Sequence, residues 1–165
     1  MKKVIIGFIA GIFVCASYAE EVPIVGNVES KCVITTDTQG VYAQPTVDEL
    51  TTKTADGGVP PIVRYDVMAA DYYKAIISWP DEFVSSPTLN DTLDWQGDVT
   101  VDQVSDTAMS SYDTDKIEYN NTTEYELTTA GSTWFKIGST VNYGYGKSFP
   151  GGTYRAMVEA ECIAQ

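Results

Sequence analysis

Gly146-Lys147-Ser148, inside the stretch from Asn142 to Gly152, is the place where residue types and spacing come nearest to a phosphate-binding loop. Such a loop needs a further Gly five positions ahead of its Gly-Lys pair, so that backbone N–H groups converge on the phosphates, and it must open a helix whose N-terminus faces the anion. Val141 occupies the first of those positions, and Pro150, Gly151 and Gly152 follow where the helix should begin. The stretch therefore reads as a turn-rich connection, Tyr143 to Gly146, and nucleotide chemistry is set aside.

Other chemistry is sparse. The chain has 0 His, which removes the usual general base, the Ser-His nucleophile and the commonest zinc ligand. Carboxylates such as Glu118, Glu124 and Glu126 could in principle act as an acid–base pair on a glycoside. No surrounding signature assigns them such roles, and the chain reads as a non-enzyme. Oxygen-rich surfaces suit calcium. The densest acidic groups are Asp91, Asp94 and Asp98 around Trp95, and Asp113 with Asp115 ahead of Glu118. Asp113 and Asp115 are the first choice as metal ligands, although neither group has helix–loop–helix calcium spacing. Trp79, Trp95 and Trp134, with 11 Tyr, could form a stacking platform for a glycan, while core and cross-strand packing is their ordinary use. The Asn-x-Thr triplets at Asn90, Asn120 and Asn121 are glycosylation acceptors only in a suitable host.

The start of the chain sets the compartment. Lys2 and Lys3, an apolar run from Val4 to Cys15, and small residues at Ser17 and Ala19 have the order of a secretory signal, read as residues 1–19 with cleavage after Ala19. The run is too short to span a bilayer and no second one follows, so a secreted protein without stable membrane insertion is expected, in the periplasm or at the cell surface. Residues 20–165 then form a single domain with two cysteines, Cys32 and Cys162, and an even pair in an exported chain reads as a disulfide. Net charge is -13, and removal of Lys2 and Lys3 makes it more negative. Such a surface disfavours nucleic acid and anionic lipid, both of which need Lys and Arg against phosphate.

The elements that must position these residues are strands. Two-residue alternation recurs at 28–36, 62–68, 99–104, 123–128, 133–141 and most clearly 153–163. In the last of these Tyr154, Ala156, Val158, Ala160 and Cys162 share one face. Residues 129–132 read as a hairpin turn between two runs, and 81–95 as the longest loop. Residues 68–79 fit an amphipathic helix or a strand, and β-branched and aromatic residues in the second half favour the strand. Trp134 and Phe135 are adjacent, so one faces the core and the other does not. Seven to eight short antiparallel strands with one disulfide indicate an all-β sandwich.

The alternating segment after the leader and the closing run Gly151-Gly152-Thr153-Tyr154-Arg155-Ala156-Met157-Val158-Glu159-Ala160-Glu161-Cys162 resemble exported bacterial β-sandwich subunits, the spore coat protein U type domains and chaperone-usher fimbrial subunits. The resemblance implies an immunoglobulin-like sandwich whose groove is completed by an N-terminal strand from a neighbour. Gly151 matches a glycine those subunits carry ahead of the last strand. Ala164 stands where they have a penultimate Tyr, and Cys162 where an unpaired apolar residue is usual. In the N-terminal segment Ile24, Gly26 and Val28 alternate as an assembly strand would, with Pro23 removing one backbone donor. The expected function is that of an exported structural or adhesive surface subunit, self-assembling or joining other surface subunits by β-strand addition. The alternative is a secreted monomeric module binding calcium or carbohydrate.

Overall fold

A computed structural model of the chain describes residues 23–25, 32–68, 73–144 and 147–165. The signal segment expected at 1–19 and two of the residues expected in an assembly strand, Gly26 and Val28, lie outside the described residues. Ile24 lies within them and is 99% exposed.

Among the described residues twelve strands form, all paired antiparallel. The large sheet contains β1 (Cys32–Thr38), β2 (Ala43–Thr46), β3 (Glu49–Thr51), β4 (Ile62–Val67), β7 (Leu93–Val104) and β10 (Gly131–Tyr143). A second sheet runs in the order β12 (Glu159–Ala164), β5 (Tyr73–Ser78), β9 (Thr122–Leu127), β8 (Ile117–Tyr119). A ribbon pairs β11 (Arg155–Ala156) with β6 (Phe83–Ser85), and one short helix, α1 (Tyr112–Asp115), lies between β7 and β8. The fold is therefore all-β. Seven strands have 6 residues or more, within the seven to eight that alternation and turn punctuation lead one to expect. The other five have 2 to 4 residues, too few to show a period.

β10 organises the large sheet. One of its edges pairs with β4 over Gly131–Lys136 and with β3 over Thr140–Asn142, while the other pairs with β7 along nearly its whole length. Alternation along β10 then sends Thr133, Phe135, Ile137, Ser139 and Val141 inward. Phe135 and Ile137 are 0% exposed and meet Tyr65, Ala75, Ile77, Tyr125 and Leu127 from both sheets. The Phe135 ring lies 5.4 Å from Tyr65 in edge-to-face geometry and 4.5 Å from Tyr125, arrangements that add to plain burial. Trp134 faces outward, half-buried, with the Arg64 guanidinium 5.9 Å from its ring centroid.

Two buried phenols tie the sheets together. The Tyr65 hydroxyl on β4 donates to the Glu161 carbonyl on β12 at 3.1 Å, and the Tyr125 hydroxyl on β9 donates to the Val99 carbonyl on β7 at 2.8 Å. Burial pushes both phenols well above their ordinary range, with Glu161 adding to the effect on Tyr65 and Asp113 to that on Tyr125. Both therefore remain donors throughout the physiological range. Tyr65→Phe leaves the Glu161 carbonyl without that partner and is expected to cost about 1 to 2 kcal/mol in a urea titration. An unchanged midpoint would show that the tie contributes nothing.

Three sequence expectations change in tertiary context. Residues 129–132 are not a hairpin turn. β9 and β10 belong to different sheets, so the chain crosses the core there, and the Tyr125 and Phe135 rings meet across it at a tilt of 43°. The run 153–163 is not one strand. It breaks at Met157 and Val158, with β11 pairing β6 and β12 pairing β5, although its inward face of Tyr154, Ala156, Val158, Ala160 and Cys162 persists across the break. The loop expected at 81–95 contains β6 and the start of β7. The 68–79 segment is a strand over Tyr73–Ser78, and among the described residues no helix is long and apolar enough to cross a membrane.

Candidate functional site: an open groove between two sheet edges

Cys32 and Cys162 are bonded, with Cα atoms 6.4 Å apart. Cys32 begins β1 and Cys162 lies in β12, so the bridge joins an outer strand of one sheet to an outer strand of the other. From that point two segments run along the same side of the sandwich. One follows β1 through Val41 into β2, and the other runs back from β12 through β11 to Phe149. They meet again where the Phe149 N–H donates to the Val47 carbonyl at 2.8 Å. Between the disulfide and this bond, no backbone hydrogen bond joins the two segments among the described residues.

The gap is a groove. A cavity of about 510 Å³ lies between Gly40–Gln44 on one wall and Phe149–Ala156 on the other, with Leu50 beneath. It continues toward the disulfide as a smaller space of about 120 Å³ between Gly40 and Tyr42 on one side and Ala156 and Val158 on the other. An aromatic cluster supports it: Phe83 packs 5.2 Å from Tyr154 and 4.7 Å from Trp95, and Phe149 packs 5.2 Å from both Tyr143 and Tyr154.

Each wall is shaped by its own residues. Val41 is held by a reciprocal backbone pair with Val59, at 2.8 Å each way. A Cβ at Gly40 would come within 2.8 Å of Pro61, so only Gly allows the chain to turn there from β1 toward β2. Pro45 lies just beyond the wall, in a strand with a neighbour on one side only, where proline is tolerated. On the opposite wall the Tyr154 hydroxyl bonds to the Pro150 carbonyl at 2.6 Å, fixing the loop. Gly151 is different: a Cβ there would meet nothing within 4 Å.

The groove mixes apolar side chains with backbone polar groups, the Gln44 amide and neutral hydroxyls. Burial raises the Tyr42 phenol pKa, opposed in part by its hydrogen bond to Ser139, and burial raises that of Tyr154, with Tyr143 adding to it. Both phenols stay protonated at physiological pH. Among the described residues the lining contains no carboxylate, Cys or His. Its one charged side chain is Arg155, which has no carboxylate in ion-pair range among the described residues. Such a site offers free backbone edges and an aromatic floor.

The other candidates fall elsewhere. The Asp113 carboxylate accepts from the Val101 N–H at 2.9 Å, while Asp115 ends α1, and among the described residues no group of three or more His, Cys, Asp or Glu is placed to hold a metal ion. Asp91 sits 3.8 Å from Lys147, and Asp94 and Asp98 lie along β7. The three Trp do not form one platform. Trp79 packs against the main core, Trp95 against the aromatic cluster under the groove, and Trp134 lies on the outer face. Lys147 of the phosphate-loop candidate precedes Phe149 and β11, with no helix after it among the described residues.

Sequence reasoning missed the Gly40–Gln44 wall. Its only local signals are a Gly and a Pro flanking a short unalternating stretch. Comparison with family models, with curated proteins and with solved structures returns no match to this chain.

Proposed function

We propose that this protein is a non-enzymatic surface subunit that assembles by accepting a β-strand in the groove between Gly40–Gln44 and Phe149–Ala156. The observation that carries the reading is two sheet edges facing each other across about 510 Å³ without backbone bonds between them. Strand addition uses such free main-chain groups for affinity and alternate side-chain pockets for specificity. The donor is the N-terminal segment of a second copy. Ile24 and Val25 are 99% and 89% exposed, so this part of the segment does not pack on its own sandwich. Glu20 and Glu21 precede it and complement Arg155. The disulfide supports residence in an oxidising compartment outside the cytoplasm.

Gly151 allows a direct test. Its missing side chain faces open space and its φ is not in the left-handed region, so Gly151→Trp is expected to change stability by no more than about 0.5 kcal/mol while obstructing the groove. Sedimentation of the mature chain should show assembly lost both in Gly151→Trp and on deletion of 20–28. Assembly that persists in both variants refutes strand addition through this groove. Stabilisation of the mature chain by oligosaccharides, abolished by Gly151→Trp, would instead assign the groove to a sugar.

A further inference from the structure

The sandwich has a second open side, bounded by β7 and β8, and there the chain fills the gap itself. The connection between these strands inserts Met109 and Tyr112, which are 1% and 4% exposed, into the main core. The same connection reaches the outer edge of β7. The Val101 N–H donates to Asp113 Oδ1 at 2.9 Å, and the Val99 carbonyl accepts from Lys116 Nζ at 2.9 Å and from the Tyr125 hydroxyl at 2.8 Å. Lys116 is held in turn by Glu118 at 2.7 Å. In an antiparallel strand, residues two apart present their N–H and C=O groups on the same side, so these are the groups an incoming strand would have to engage. Asp94, Asp98 and Asp102 are exposed along the same strand, and charged side chains on an edge oppose pairing with another copy of an acidic chain.

We infer that Asp113 and Lys116 form an edge block that denies β7 to a second copy of this chain and leaves the disulfide side for strand addition. The second half of this inference rests on the function proposed above, and the first half stands without it. Open strand edges are templates for unwanted pairing, and capping one with side chains from the adjoining connection removes both its donor and its acceptor.

The test compares the mature chain with Asp113→Ala/Lys116→Ala by sedimentation velocity over a range of concentrations. The double variant is expected to form an associated species beyond any in the parent, with an association constant raised by about tenfold or more, the scale of one or two recovered backbone bonds. Adding Val101→Pro, which deletes the freed N–H, should restore parental behaviour. Adding Gly151→Trp should leave the new species intact, because that substitution acts on the other side. Should the double variant not fold, Asp113→Ala alone, which frees only the Val101 N–H, carries the same expectation. Association no stronger than in the parent, or a new species that survives Val101→Pro, overturns the edge block. Loss of the new species with Gly151→Trp would place it in the groove and overturn the block as well.

Discussion

Replacing Cys32 and Cys162 together by Ala is expected to lower the unfolding free energy by about 4 kcal/mol. The bridge spans 130 residues in sequence, and cross-linking so long a loop removes roughly 4 to 5 kcal/mol of chain entropy from the unfolded state. For a sandwich whose total stability is about 5 to 15 kcal/mol, this is a large share. In urea, with a slope of about 1 to 3 kcal/mol per molar, the midpoint should fall by roughly 2 M, and reductant should do the same to the parent. The bridge also forms one end of the groove, so its loss is expected to weaken assembly more than Tyr65→Phe does. A midpoint unmoved by reductant would show that the bridge contributes nothing to stability.

Phe135→Ala is expected to cost about 3 to 5 kcal/mol, whereas Trp134→Ala, one position away, should cost less than about 1 kcal/mol. Phe135 is 0% exposed between Tyr65 and Tyr125, and truncating it leaves a cavity that two tyrosines hydrogen-bonded to opposite sheets cannot readily collapse into. Trp134 lies half-buried on the outer face, where truncation loses the contact with Arg64 and leaves a gap open to solvent rather than a cavity in the core. Urea midpoints of the two variants decide the matter. Equal costs would contradict the assignment of faces along β10, and with it the packing of the two sheets.

Face assignments were legible because they depend on the period of the backbone and nothing else. Tyr154, Ala156, Val158, Ala160 and Cys162 alternate in the sequence and share the inward side in the fold, even where the chain passes from β11 to β12. The opposite orientations of Trp134 and Phe135 follow in the same way. Pairing was not legible. Nothing local distinguishes a turn that returns a strand to its own sheet from one that carries it across the core, and the 129–132 segment does the second because Tyr125 and Phe135 pack as partners between the sheets. Asp113 shows the same limit for a side chain. An acidic residue in a loop looks like a cation ligand or a solvated charge until the edge of β7 is brought beside it, and the Val101 N–H then claims its carboxylate.

The sequence alone determined the all-β class, the inward faces of the long strands and the pairing of Cys32 with Cys162, because composition, two-residue periodicity and an even cysteine count are local or combinatorial properties. Only the tertiary structure decided which strand edges remain free. Edges arise from the order and register of strands distant in the chain, and the groove's walls, at 40–44 and 149–156, become neighbours only after β10 has gathered β3, β4 and β7 into one sheet.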